Sequence, residues 1–228
     1  MAPLTKITNW NEFAKQLATL KSNGVYALTT DVWWGDVESK GNNQFDWTYY
    51  KQYAQVVRES GLKWVPILST HQCGGNVGDD CNIPLPNWVW SLSTEDRLTH
   101  KSETGYVNKE TLSPWASDVV GTQYNELYAS FAQTFAGYKD IIVKIYVSGG
   151  PAGELRYPSY VGADGWSYPS RGKIQAYTET AKADFRNAMQ SKYGTISSLN
   201  NAWKTTLSSW SQISPPTDRD NFFTSGAA

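Results

Sequence analysis

The feature that most restricts the fold of this chain is an alternation of periods. Segments with apolar residues at helical spacing give way to short, nearly continuous apolar runs, and the cycle repeats. A first helix is predicted from Asn9, which can cap it with Glu12 three residues on, to about Asn23. Trp10, Phe13, Leu17 and Leu20 form its apolar stripe, and Gly24 ends it. Residues 25–31 then read as a buried strand that closes on the carboxylate of Asp31. Asp46 can cap a second helix over residues 47–60, stopped by Gly61, and residues 63–69 form a second strand leading to Thr70 and His71. A polar segment runs from Gln72 to about Asp118. A third helix over about residues 123–136 feeds a strand at residues 141–147, and a fourth over about residues 173–193 stops at Gly194. Residues 1–4 supply one further strand, for a count of four.

Helix and strand in strict turn imply parallel strands joined by helical crossovers. Long polar loops follow the strands after Asp31, His71 and Val147, and the loops at the opposite ends are short. That asymmetry is how a (β/α) barrel arranges its active face. Four strands are too few to close a barrel, which needs about eight. The tail from Gln212 carries Pro215-Pro216 and offers no further strand. The chain reads as half of a larger architecture, with a smaller open α/β sheet as the alternative.

Composition removes several functions. The net charge is -1, so nothing electrostatic points to nucleic acid or to a membrane surface as a partner. No stretch approaches the 18 or so apolar residues of a membrane span, and the segment after Met1 is not a secretion signal. Aromatic residues make up 14% of the chain, with 11 Trp and 14 Tyr. Such rings can stack on sugars, although most are expected to fill a core. Cys73 and Cys81 lie eight positions apart in a Gly- and Asp-rich stretch; a short loop bridge is feasible, and two separate thiols are the alternative. Their spacing is not that of a zinc site, and His71 and His100 are the only histidines.

Three strand ends carry groups able to do chemistry. Asp31 precedes Trp33 and Trp34. His71 opens a loop containing Asp79 and Asp80. Glu154 sits in a Gly-rich loop with Arg156, Tyr157 and Tyr160. Carboxylates beside aromatics on one rim suit glycoside hydrolysis, in which one carboxylic acid protonates the leaving oxygen and a second carboxylate acts opposite it. Each residue also has an ordinary structural role open to it: Asp31 as a loop cap, His71 as a satisfied histidine, Glu154 as the partner of Arg156. Phosphate-loop and Gly-x-Ser-x-Gly patterns are missing.

Asp31-Val-Trp-Trp-Gly35, His71-Gln-Cys-Gly-Gly-Asn-Val-Gly-Asp79, Asn82-Ile-Pro-Leu-Pro86 and Gly149-Gly-Pro-Ala-Gly-Glu-Leu-Arg-Tyr-Pro-Ser-Tyr160 follow one another along the chain. In these motifs the chain resembles the β-amylases, glycoside hydrolases of family 14, closest to the bacterial type, and the likeness extends along almost its whole length. The resemblance implies an α/β fold, a (β/α)8 barrel of which about the first four units are present, with residues 1–228 as one partial catalytic domain. It implies release of maltose from the non-reducing ends of starch and related α-1,4-glucans, with inversion. Glu154 matches the general acid; Asp31, His71 and Asp79 match contacts to the terminal glucose. Cys73 and Cys81 match a loop disulfide. Glu38, Asn43 and Glu126 match calcium ligands, while Asn42 and Gln123 stand where acidic ligands are expected. The family's general base is a glutamate on a later strand, and no residue here matches it, so a glucan-binding chain without activity is the competing expectation. A secreted protein, monomeric when complete, is implied as well. Burial of Glu154 beside aromatics is expected to hold its proton, with Arg156 opposing.

Overall fold

The computed structural model describes residues 4–74 and 80–225. They fall into two units: Met1–Leu92 with Asp118–Tyr157, and Ser93–Ser117 with Pro158–Ala228.

The first unit is the helix–strand repeat. Helix α1 (Trp10–Ser22) starts where Asn9 Oδ1 accepts the Glu12 amide at 3.0 Å, a cap worth about 1 kcal/mol. It ends ahead of Gly24, whose φ of 84° suits glycine. Of its predicted stripe only Phe13 and Leu17 are buried; Leu20 is exposed. Strand β1 (Ala27–Trp33) pairs in parallel with β2 (Lys63–Ser69), and two helices lie between them, the short α2 (Trp34–Val37) and α3 (Thr48–Glu59). Asp46 accepts the Thr48 amide at 3.2 Å, as its predicted capping role requires. Both strands show the same alternation. Leu28, Thr30, Val32, Trp64 and Leu68 are buried, while Ala27, Thr29, Asp31, Val65 and Ile67 are half-buried. The buried face packs on the helices, where Thr30 donates to the Tyr53 hydroxyl at 2.5 Å.

Helix α5 (Ser117–Thr134) follows in this unit and supplies Leu127 and Phe131 to the core. Trp64, at the centre, meets the Phe135 ring at 5.2 Å and the Tyr53 ring at 5.8 Å, and Trp47 meets Phe135 at 5.6 Å. Many of the aromatics thus serve as core, and removing a buried ring of this size costs about 3–5 kcal/mol. The last predicted strand is shorter than expected. Only β5 (Tyr146–Val147) pairs with β2, and Ile142 adds a single bridge to Trp64. Val143, Ile145, Tyr146 and Val147 lie exposed along this edge, so the run lacks the burial that would fix it as a full strand. Of the strand expected at residues 1–4, residues 1–3 lie outside the described residues and Leu4 is in a bend. The described sheet therefore has three parallel strands in the order β1-β2-β5, not four.

The second unit has little sheet. Helix α4 (Glu95–Leu98) and the antiparallel pair β3 (His100–Lys101) and β4 (Val107–Asn108) occupy part of the segment expected to be irregular. Helix α6 (Glu179–Tyr193) begins six residues later than predicted, capped by Thr178, and α7 (Ile196–Trp203) and α8 (Arg219–Ser225) follow. One of its buried carboxylates, Glu103, accepts from Arg171 Nη1 at 2.9 Å and from the Ile174 amide at 3.1 Å.

Candidate active site

The three parallel strands end together. Val32 is opposite Leu68, and Leu68 is opposite Val147. Trp33, Ser69 and Ser148 thus come to one rim, and the Ser148 amide donates to the Leu68 carbonyl at 3.0 Å. Asp31 is not the end of its strand, as predicted; β1 continues to Trp33, and Asp31 projects from the half-buried face two residues below the rim. Its Oδ1 accepts the Ser69 hydroxyl at 2.8 Å. Burial pushes the Asp31 carboxyl above its ordinary value, against the Ser69 bond and its own backbone.

His71 stands just past β2 and is buried. Its ring meets the Trp33 ring edge-on at 5.2 Å, and Nδ1 lies 2.7 Å from Ser148 Oγ. Cys73 is joined to Cys81 by a disulfide and to Ile83 by a reciprocal pair of backbone hydrogen bonds, each 2.9 Å. The glycine of the Trp-Trp-Gly motif has a local cause: a Cβ on Gly35 would lie 1.9 Å from the Pro84 carbonyl oxygen. Asp79, the expected third glucose contact, lies outside the described residues.

Glu154 occupies a loop that folds tightly on itself after β5. The Gly149 amide donates to the Gly153 carbonyl at 3.2 Å, Gly153 to Gly150 at 2.9 Å, and Glu154 to Pro151 at 3.1 Å. Ala152 and Gly153 both have positive φ, 54° and 79°. A Cβ on Gly153 would lie 3.7 Å from His71 Cε1, so the residue next to Glu154 is against the His71 ring. The carboxyl itself is not buried beside aromatics, contrary to expectation. It is 66% exposed and accepts from Arg156 Nε at 2.6 Å. The pairing with Arg156 and the rim position, weighed as alternatives from sequence, coexist. An ion pair this open to water is worth about 0–1 kcal/mol and yields readily to another partner. The linking residues Ser69 and Ser148 were not legible in sequence; their one signal is position, at the last residue of β2 and the first after β5.

A second polar cluster involves Glu38, which is fully buried. Its Oε2 accepts from Trp34 Nε1 at 2.6 Å, and its Oε1 from the Asn43 amide at 2.7 Å. Burial raises the Glu38 carboxyl above its ordinary range; the two donors oppose this, and the neighbouring Glu126 adds to it. Glu126 Oε2 and Gln123 Oε1 are buried without a hydrogen-bond partner among the described residues. No group of three or more His, Cys, Asp or Glu side chains gathers as a metal site among the described residues. No helix among them is long and apolar enough to cross a membrane.

Comparison with known proteins accords with this geometry. A β-amylase of Niallia circulans is 67% identical over 99% of this chain and 39% of its own length. A β-amylase of Cytobacillus firmus is 67% identical over 99% of this chain and 48% of its own. The chain thus spans less than half the length of these relatives. The crystal structure of the catalytic domain of β-amylase from Paenibacillus polymyxa superposes with a TM-score of 0.93 at 67% identity, covering 98% of this chain and 54% of that one. A β-galactosidase from Marinomonas ef1 superposes with a TM-score of 0.60 at 15% identity, a likeness of fold alone. The fold class is that of the (β/α)8 barrel, of which this chain holds a part. Glycosyl hydrolase family 14 matches residues 1–228 from end to end, and the chain belongs to that family.

Proposed function

We propose that the chain carries the acid half of a β-amylase site, which cleaves α-1,4-glucosidic bonds of starch, amylose and malto-oligosaccharides and releases maltose from non-reducing ends with inversion. Glu154 is the general acid. Asp31, His71 and Asp79 hold the terminal glucose. The observation that carries this reading is the neighbourhood of Glu154: a solvent-reachable carboxyl on a tightly hydrogen-bonded loop whose next residue abuts His71. A general acid points its carboxyl at the glycosidic oxygen, so the Arg156 pair has to open when glucan enters. Asp31 and His71 are anchored below it by Ser69 and Ser148, as positioning groups for a sugar need to be. Inversion also requires a carboxylate to activate water, about 6.5–9.5 Å from the acid.

Maltose release from starch, with the anomer read by proton NMR, tests the reading. The β-anomer is expected first. Release of the α-anomer, or turnover retained in Glu154→Gln, would exclude it. A second reading, that these 228 residues alone bind glucan without turning it over, rests on the absence of any residue here matched to the general base, the second carboxylate that inversion needs.

Calcium fits the Glu38 cluster, with Glu38, Asn43 and Glu126 as oxygen donors. The buried Glu38 carboxylate, raised in part by Glu126, and the buried unpartnered oxygens of Glu126 and Gln123 are what a hard cation would satisfy. The ion would supply charge compensation and rigidity, not chemistry. Added calcium is expected to raise the melting temperature, and Glu38→Gln to abolish that rise; an unchanged melt on calcium addition would reject the site. A secreted location is consistent with the Cys73–Cys81 bond, since disulfides persist in oxidising compartments.

A further inference from the structure

Ser148 touches both the His71 ring and the loop that carries Glu154. Its hydroxyl, on a residue 8% exposed, lies 2.7 Å from His71 Nδ1 and 3.3 Å from the Gly150 carbonyl oxygen. A hydroxyl has one hydrogen to give, and a carbonyl can only accept. Were Ser148 to donate to His71, two lone-pair oxygens would face each other at 3.3 Å. Donation to Gly150 removes that conflict and leaves the hydroxyl to accept from His71 Nδ1–H.

Gly150 is itself fixed. Its carbonyl also accepts the Gly153 amide at 2.9 Å, and a Cβ on it would lie 2.6 Å from the Arg156 carbonyl oxygen and 2.8 Å from that of Glu154. Ser148 is held from the other side by its amide bond to Leu68. A continuous line therefore runs from β2 through Ser148 to the backbone that sets Glu154.

We propose that Ser148 is a positioning residue for the reaction. It fixes His71 as the Nδ1–H tautomer and couples that ring to the acid-bearing loop. In the neutral ring Nε2 then carries the lone pair and can only accept. The proposal rests on the roles given above to His71 and Glu154, but its first test does not depend on turnover.

The chain has two histidines, so imidazole nitrogen NMR on the 15N-labelled protein is readily assigned with a His71→Asn sample. At alkaline pH, where imidazole is neutral, His71 is expected to show a protonated Nδ1 and an unprotonated Nε2. Ser148→Ala is expected to move the balance several-fold toward Nε2–H, and Ser148→Thr, which keeps the hydroxyl, to restore it. In maltose release, Ser148→Ala is expected to lower kcat about tenfold with KM changed less than about threefold, as loss of positioning alone would do. A wild-type His71 found as Nε2–H overturns the proposal, even if Ser148→Ala fails to fold. An unchanged tautomer and kcat in Ser148→Ala overturn it as well. Absence of maltose release from every sample would count against the functional reading only, and the tautomer would still decide the role of Ser148.

Discussion

Asp31 and Glu38 in one unit and Glu103 in the other show two opposite ways of handling a carboxylate removed from water. In the sheet-bearing unit, among the described residues, Asp31 meets the Ser69 hydroxyl and backbone, and Glu38 meets the Trp34 indole and an amide. Neutral donors leave the charge uncompensated, and burial raises both carboxyls above their ordinary values. In the other unit, Glu103 is ringed by cations: Arg171 at 2.9 Å, Lys173 at 3.9 Å and Arg219 at 4.0 Å. Buried charge already neutralised by the protein serves structure. Buried charge left over is a cost that a bound sugar or cation can relieve, which is why perturbed carboxyls gather at sites.

That contrast is sharpest if chemistry and stability separate by unit. Glu154→Gln is expected to lower maltose release about a thousandfold, within the range for loss of a general acid. Because the side chain is exposed, its melting temperature should stay near wild type. Glu103→Gln should do the reverse. Breaking a buried ion pair costs about 4 kcal/mol, visible in urea titration, with sugar binding at the rim retained in the folded fraction. If Glu103→Gln abolished binding while leaving stability intact, the division would fail.

The histidine of the second unit supplies a pH signature. Burial pushes the His100 imidazole down to about 4, with a backbone bond at Leu112 opposing. The unfolded chain takes up this proton near 6.5 and the folded one only near 4, so stability present above 6.5 is lost as pH falls through that window. Complete loss would amount to roughly 3 kcal/mol. Melts of His100→Gln should lack that part of the acid slope. The smallest effect concerns Asp31. Its raised carboxyl means that the charged form burdens the fold, and the burden grows as pH rises past the ordinary value of 3.8. Asp31→Asn, which can still accept from Ser69, is expected to be slightly more stable than wild type at neutral pH. The gain should vanish in strong acid, and sugar affinity should fall.

The same contrast explains what could be read from sequence. In the first unit each signal is local: Asn9 caps its own helix, Asp46 caps the next, and Leu28, Val32, Trp64 and Leu68 alternate as strands must. Glu154, His71 and Asp31 were legible because strand ends are where loops carry chemistry. In the second unit the start of α6 depends on Asp96, which accepts the Glu179 and Thr180 amides from 83 and 84 positions away. The residues expected to begin that helix are drawn off instead: Ala176 bridges to Lys101, and the Tyr177 amide donates to the Lys101 carbonyl. No local pattern reports such a partner. Ser69 and Ser148 stayed hidden for a related reason, since a serine acquires its role from what the fold sets opposite it.

The most direct test of the account is an NMR titration of the 15N-labelled chain with maltotetraose. Amide shifts are expected at Asp31, His71, Gly153 and Glu154, with residues 93–117 and 158–225 nearly silent. Shifts confined to those latter segments, or none in either unit at millimolar sugar, would contradict the assignment of the strand-end rim as the glucan site.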